Sequence, residues 1–229
     1  MAPERRVRRE PVDTHPFRTL LRLRLGLPQS QFATAQLCRA CLELASDCHG
    51  HHALSCMHGG AKTDTHSKVV LALYALCNQA LLSPQREAHC FHQDPHKRID
   101  ILLRLGFRKS QLIDFACTSP LRPDAIANAA RCPGGAATAY ESKKVAIYGA
   151  LVDATHQQLV PCIVDSLGAW SDSADSFLRS LGRFLAQRAD SPPYVAAAKV
   201  FATLNITLMR SIAQTILQRV DCPQVAVMG

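Results

Sequence analysis

The 229-residue chain has no uninterrupted apolar run of the roughly 18–20 positions needed to cross a bilayer. Its longest candidate, Val69–Leu82, is broken by Asn78 and Gln79. The opening MAPERRVRRE lacks the apolar stretch of a secretory signal, and its two glutamates count against a mitochondrial leader. These absences set the expectation of a soluble intracellular protein with no membrane partner. Aromatic residues are scarce: one Trp and four Tyr leave little for a platform on which single-stranded bases stack. Charged residues are only 19% of the chain, but apolar residues reach 48%, which excludes wholesale disorder.

What is present is unevenly spread. The net charge is +8, and residues 1–110 carry 16 Lys+Arg against 9 acids, while residues 111–229 carry 10 against 9. Arg outnumbers Lys 19 to 7, and a guanidinium suits bidentate contact with phosphate. A basic first half reads either as a solvated surface or as a nucleic-acid footprint. Ten cysteines accompany ten histidines, nine of the histidines before residue 97. In a reducing compartment such clustering points to a metal rather than to disulfides.

Along the chain, residues 1–14 read as a basic arm. Residues 15–62 read as a helix at 16–25 followed by a Cys/His-rich loop, 63–190 as an α/β core, and 191–229 as a C-terminal helix. Asp64 or Thr65 is placed to cap a helix running to about Leu82, with Val69, Leu73, Leu76 and Leu81 on its apolar side. Three strand-like pieces follow: Ile99–Leu105, Gln111–Thr118 and Leu159–Asp165. A Pro/Gly/Ala-rich loop, 119–137, and a helix from Ala139 to Thr155 separate the second from the third. Helices at 172–188, burying Phe177, Leu178, Leu181, Phe184 and Leu185, and from Pro192 to Val220 complete a mixed α/β pattern.

The segment Cys38-Arg-Ala-Cys41, ten residues, His52-Ala-Leu-Ser-Cys56 has the spacing C-x2-C-x10-H-x3-C. A CxxC turn offers two thiolates to one ion and a second pair closes a tetrahedron, so the ion would be a structural zinc with no open position. Cys48, His49, His51 and His58 compete for the third place. The H-x-E and P-C-x-x-C of a cytidine deaminase site do not occur.

Two of the strand-like pieces each carry one acid among apolar residues, Asp100 and Asp114. In a hairpin centred on Phe107, residues whose numbers sum to 214 lie opposite one another, which faces the two carboxylates with Cβ atoms roughly 4.5–5.5 Å apart. Two carboxylates that close suit a hard divalent cation, Mg²⁺ or Mn²⁺. Taken singly, each acid could instead end a strand or cap a turn. Downstream, Lys144 and Tyr148 share a helix face, and a lysine beside the pair could orient water or offset charge on a phosphate.

The order CxxC, HxxxC, basic-x-Asp, Asp on the next strand, then K-x3-Y on a helix resembles the restriction-enzyme-like endonuclease domain of site-specific non-LTR retrotransposons. That domain belongs to the PD-(D/E)XK superfamily and follows a CCHC zinc knuckle. Arg98-Ile-Asp100 resembles its R-P-D motif, and Asp114-Phe-Ala-Cys-Thr118-Ser-Pro120 resembles its D-V-T-V-x-x-P strand. Lys144 to Tyr148 resembles its displaced catalytic lysine and tyrosine, and Leu159 to Gly168 is similar to the strand that follows. Ile99 replaces the motif's proline, and Ala116 stands two residues after Asp114 where the superfamily's usual lysine would be.

The resemblance covers roughly residues 20–190. It implies a restriction-endonuclease-like mixed sheet flanked by helices, with Asp100 and Asp114 holding Mg²⁺ or Mn²⁺ and Glu87 as a further acid. It implies Lys144 as the catalytic lysine, with Lys143 an alternative, and Arg98, Tyr148 and Lys143 near nucleic acid. The implied protein is a nuclear, metal-dependent endodeoxyribonuclease acting on double-stranded DNA. Either the reverse transcriptase that such a domain follows is a separate partner, or these residues are a fragment of a longer element, a domesticated remnant or a decayed copy. Two other readings share part of the pattern: a zinc-containing DNA-binding remnant that no longer cuts, and a zinc-stabilised scaffold that binds protein through residues 172–220. Oligomeric state and DNA target are open.

Overall fold

The computed structural model describes residues 14–29, 36–42, 44–45, 47–91, 94, 96–104, 109–153 and 157–219. The arm at 1–13 and the turn centred on Phe107 lie outside the described residues.

A four-stranded mixed sheet forms the middle, in the order β3 (Pro84–Ala88), β4 (Ile99–Leu103), β5 (Gln111–Thr118), β6 (Gln158–Asp165). The first three strands are an antiparallel meander, and β6 lies parallel to β5 after a crossover through α4 (Ile126–Arg131) and α5 (Gly135–Asp153). A parallel neighbour requires such a crossover, because a hairpin can only return antiparallel. β6 is buried from Val160 to Asp165, as befits a strand covered on both faces. The β4–β5 pairs are Ile101 with Ile113, Leu102 with Leu112 and Leu103 with Gln111, all on the sum 214 expected from the sequence.

Alternation along the strands sorts the apolar residues between two clusters, except at Ile99, which leaves the face of Ile101 and Leu103 for the other cluster. Ile101, Leu103, Ile113, Phe115, Cys162 and Val164 join the larger one, with α3 (Ala61–Gln79), α6 (Asp172–Ala189) and α7 (Pro193–Gln218). Ile99, Leu102 and Leu112 join a smaller one, closed by Val152 of α5 and by Phe91. Helices therefore cover both faces. Cys38, Ala53 and Cys56 pack in the larger cluster, so the Cys/His segment shares the core of the sheet. That segment holds α2 (His51–Ser55) and a two-residue antiparallel pair, β1 (Gln36–Leu37) with β2 (Leu44–Ala45). In front of it, α1 (Thr14–Arg24) is tied to the turn after β6 by Arg24, whose Nη2 donates to the Leu167 carbonyl at 2.9 Å.

Several boundaries differ from the sequence expectation. α3 begins at Ala61, ahead of Asp64, because Gly59 and Gly60 turn the chain through left-handed backbone (φ 74° and 71°) and let the helix start without a side-chain cap. Leu81 lies beyond that helix and is exposed, so Val70 and Cys77 complete the buried side instead. On α6, Phe184 and Leu185 are only partly buried, while the small residues Ala174, Gly182 and Ala186 go inside. The loop expected at 119–137 contains α4 and the first turn of α5. β3 has no apolar alternation to announce it. The apolar stretch at Val69–Leu82 is also not the longest: α7, at 26 residues, is long and apolar enough by length and composition to cross a membrane. It contains Lys199 and Arg210, and half of its most apolar window is buried inside the protein.

Candidate active site and metal centre

β5 runs past its neighbour. Paired with β4 only through residues 111–113, it continues to Thr118 with β6 alone at its side. The Asp100 side chain turns into the gap, where its Oδ2 accepts the Phe115 amide at 2.6 Å. Extending the register by one pair puts Asp100 across from Asp114. A cavity of about 300 Å³ opens along this uncovered part of β5.

Three helical side chains reach the two acids. Lys144, on α5, places Nζ 2.7 Å from Asp114 Oδ2, with both side chains largely buried. Tyr148, one turn further on, lies on the same helix face beside Asp114, and its ring stacks on Phe91 and lies 5.8 Å from Lys144 Nζ. From the opposite face, His66 of α3 brings Nε2 to 3.2 Å from Asp100 Oδ2 and tilts its ring against Phe115 at 5.4 Å.

The electrostatics follow from burial. Desolvation pushes the Asp114 carboxyl above its usual range, and the Lys144 ammonium pulls it part of the way back. The His66 imidazole is raised, first by its hydrogen bond to Asp100, against burial, and then by the charges of both acids. Tyr148 is raised by burial and by Asp114, so its hydroxyl keeps its proton. Each acid therefore has a protein cation or proton donor within reach.

The other residues singled out from the sequence fall outside this group. Lys143 points to the surface and pairs with Asp124 at 2.9 Å, an acid it shares with Arg122. Glu87 lies opposite Asp100 in the β3–β4 register, but its backbone has φ 49° and its exposed carboxylate pairs with Arg98 at 3.9 Å. His66 was not marked out in the sequence. Its only signal there was membership in the histidine-rich first half, and its role depends on how α3 is rotated against β4.

The second site gathers Cys38, Cys41, His52 and Cys56, with their ligand atoms all within 4.8 Å of one another. The group could hold a metal ion. The CxxC turn sits between β1 and β2, closed by the Leu42 amide donating to the Cys38 carbonyl at 2.8 Å. Asp47 accepts the amides of His51 and His52 at 2.5 and 2.6 Å, which fixes the start of α2 and aims His52 at Cys41, 3.2 Å from Nε2 to Sγ. His49 and His51 instead stack on each other, and Cys48 is exposed. Burial raises the Cys38 thiol, but the amides of Cys41 and Ala40 and the His52 ring outweigh it and bring it down to about 6. A thiol held there is ready to bind as thiolate.

Together the fold and these sites define a mixed α/β protein with a buried Asp114 reached by a lysine, a half-buried Asp100 nearby, and a Cys3His group able to hold a metal ion. No family model matches the chain, and no curated protein matches it.

Proposed function

We propose that the chain is a restriction-enzyme-like, metal-dependent endonuclease that hydrolyses phosphodiester bonds of double-stranded DNA in the nucleus. One observation carries the reading: Asp100 and Asp114 are opposed across β4 and β5, and Lys144 stands 2.7 Å from Asp114 above an open cavity. A mixed sheet with helices on both faces is the architecture this reading requires. The donor set is one buried and one half-buried carboxylate, one step beyond the last β4–β5 pair, which fits a hard divalent cation such as Mg²⁺ or Mn²⁺ held by Asp100 and Asp114. When bound, the cation would supply Lewis-acid assistance to the phosphate and its attacking water.

The chain's own residues have separate tasks. The Phe115 amide holds the Asp100 carboxylate in place, and the Lys144 ammonium does the same for Asp114. Lys144 is the cation nearest the cavity's reactive end and can transfer its contact from Asp114 to a phosphate oxygen that gathers charge. His66 keeps Asp100 hydrogen-bonded until a cation replaces it. The surplus of positive charge before residue 110 would track the DNA backbone and make binding salt-dependent.

The Cys3His group is best read as a structural zinc site. Cys38 Sγ and Cys56 Sγ are 3.9 Å apart, close to the edge of about 3.8 Å that a zinc tetrahedron with 2.3 Å Zn–S bonds requires. Four protein ligands leave no position for substrate.

A DNA-binding module that no longer cuts draws support from one feature: both acids already hold protein partners, His66 and Lys144, which a cation must displace. Nicking of supercoiled plasmid by the zinc-loaded protein, with Mg²⁺, with Mn²⁺ and with neither, separates the two. Metal-dependent nicking that Asp100→Ala and Asp114→Ala each reduce at least a hundredfold is the expected result. A folded wild-type protein that binds DNA without nicking it would establish the non-cutting module. Cutting that survives both substitutions would place the chemistry elsewhere.

A further inference from the structure

We infer that the first amides of α3, at Ala61 and Lys62, form with the side chains of Lys62, Arg122 and Ser166 a phosphate subsite in the same cavity, at the C-terminal end of β5. It would hold a backbone phosphate further along the strand from the one that is cut. The identity of the ligand rests on the nuclease reading; the anion site itself does not.

The subsite starts from how α3 begins. Gly60 gives this 19-residue helix no side-chain cap, and the first helical bond runs from the Asp64 amide to the Gly60 carbonyl at 2.9 Å. The amides ahead of it are not used by the helix and carry its positive end. Ala61 and Lys62 line the cavity, and a Cβ built on Gly60 would meet nothing within 4 Å. Amides at a helix start, facing open space, are suited to an anion.

The side chains around that opening are basic or hydroxylic. Lys62 lies at the rim with Met57 Sδ 3.2 Å from its ammonium, and its pKa is lowered by desolvation and by the nearby Arg122 guanidinium. Arg122 and Lys143 divide one carboxylate, Asp124, between them. Two facing cations at a shared cavity are relieved by an anion between them. The acids nearby are engaged elsewhere: Asp64 pairs with Lys68 at 2.6 Å, and Asp165 accepts the Leu167 and Ala169 amides.

Ser166 is the independent observation. It lines this cavity, is only 4% exposed, and its buried hydroxyl has no hydrogen-bond partner among the described residues. A buried hydroxyl without a partner costs free energy unless something fills the place. A phosphate oxygen would do so, while the remaining oxygens meet Lys62, Arg122 and the α3 amides. Thr118 lies four residues along β5 from Asp114, about 13 Å at strand rise. The acidic pair and this subsite therefore sit at separate points of one groove.

The test uses the full, zinc-loaded, ¹⁵N-labelled chain without Mg²⁺ or Mn²⁺, titrated with the thymidine dinucleotide TpT, whose one phosphodiester is a backbone phosphate. Thymidine, which carries no phosphate, and inorganic phosphate serve as the other arms. Saturable shifts of the Gly60, Ala61 and Lys62 amides are expected with the dinucleotide and not with thymidine. Lys62→Met should weaken that binding at least about tenfold, and Lys62→Arg should restore most of it. Equal affinity in Lys62→Met, or shifts confined to the surroundings of Asp100 and Lys144, would overturn the subsite. Inorganic phosphate binding as tightly as the dinucleotide would overturn the assignment to a nucleic-acid strand. Absence of plasmid nicking with these shifts intact would end the nuclease reading and leave the anion site standing.

Discussion

Asp114 shows most plainly what a single residue costs the fold. The residue is 5% exposed, and among the described residues Lys144 is the only full positive charge drawn close to it. Removing one partner of a buried pair strands the other charge, a loss of about 3–5 kcal/mol, whereas neutral replacement of both can be nearly free. Lys144→Met should therefore destabilise the protein by about 3 kcal/mol, and adding Asp114→Asn should recover most of it. Lys143→Met, on an exposed pair with Asp124, should change stability by less than about 1 kcal/mol. Urea unfolding of the two singles and the double would check this. If the effects of Lys144→Met and Asp114→Asn simply add, the pair is not coupled. The contrast also shows why neighbouring lysines are not interchangeable, as the sequence alone left open. A step of one residue on α5 turns a side chain by about 100°, and the orientation of α5 on the sheet decides which lysine reaches β5.

Elements were legible where their own pattern was strong. The β4–β5 register followed from two apolar segments with one acid each, and it came out on the expected sum, with both strands buried on both faces and their residues divided between two clusters that a one-residue slip would exchange. The Cys/His group was legible from spacing, and α2 settles His52 over its neighbours by carrying it toward Cys41. β3 was not legible: PQREA has one buried residue and a left-handed Glu87, and pairing with β4 rather than propensity makes it a strand. His66, Lys62 and Ser166 were hidden because they come together only through tertiary packing. The same packing sets the sign of two glycine substitutions. Gly182 on α6 faces Ala197 of α7 so closely that a Cβ would lie 2.6 Å from the Ala197 Cα, while a Cβ on Gly149 in α5 would meet nothing within 4 Å. Gly149→Ala should gain up to about 1 kcal/mol from helix propensity. Gly182→Ala should lose about 1–3 kcal/mol, because two backbones must part. Thermal melts that move in the same direction for both would refute the close α6–α7 contact.

At the scale of the whole molecule, the Cys/His segment is linked to the last helix. Arg219, just past the end of α7, is 4% exposed. Its Nη2 donates to the His58 carbonyl at 2.6 Å and its Nη1 lies 4.0 Å from Cys38 Sγ. Gly59 makes room for it, since a Cβ there would stand 2.9 Å from the Ala40 Cβ and 3.0 Å from Arg219 Nη1. In the proposed zinc site three thiolates around one Zn²⁺ would leave a net negative charge, which a buried guanidinium beside Cys38 would offset. The same contact anchors the turn that opens α3, so the metal group, the end of α7 and the start of α3 should loosen together. Chelating the metal is expected to raise hydrogen exchange at residues 47–62 and 212–219 while β4, β5 and β6 remain protected. Arg219→Ala should weaken zinc binding at least about tenfold and cost about 2–4 kcal/mol in stability, from two lost charge-assisted contacts and an uncompensated thiolate cluster. Competition with a chromophoric chelator reads the first, and urea unfolding of the zinc-loaded protein reads the second. An Arg219→Ala protein that keeps wild-type zinc affinity would remove the guanidinium from the metal centre. Uniform loss of protection across the sheet on chelation would mean that the metal holds the entire core rather than this one end of it.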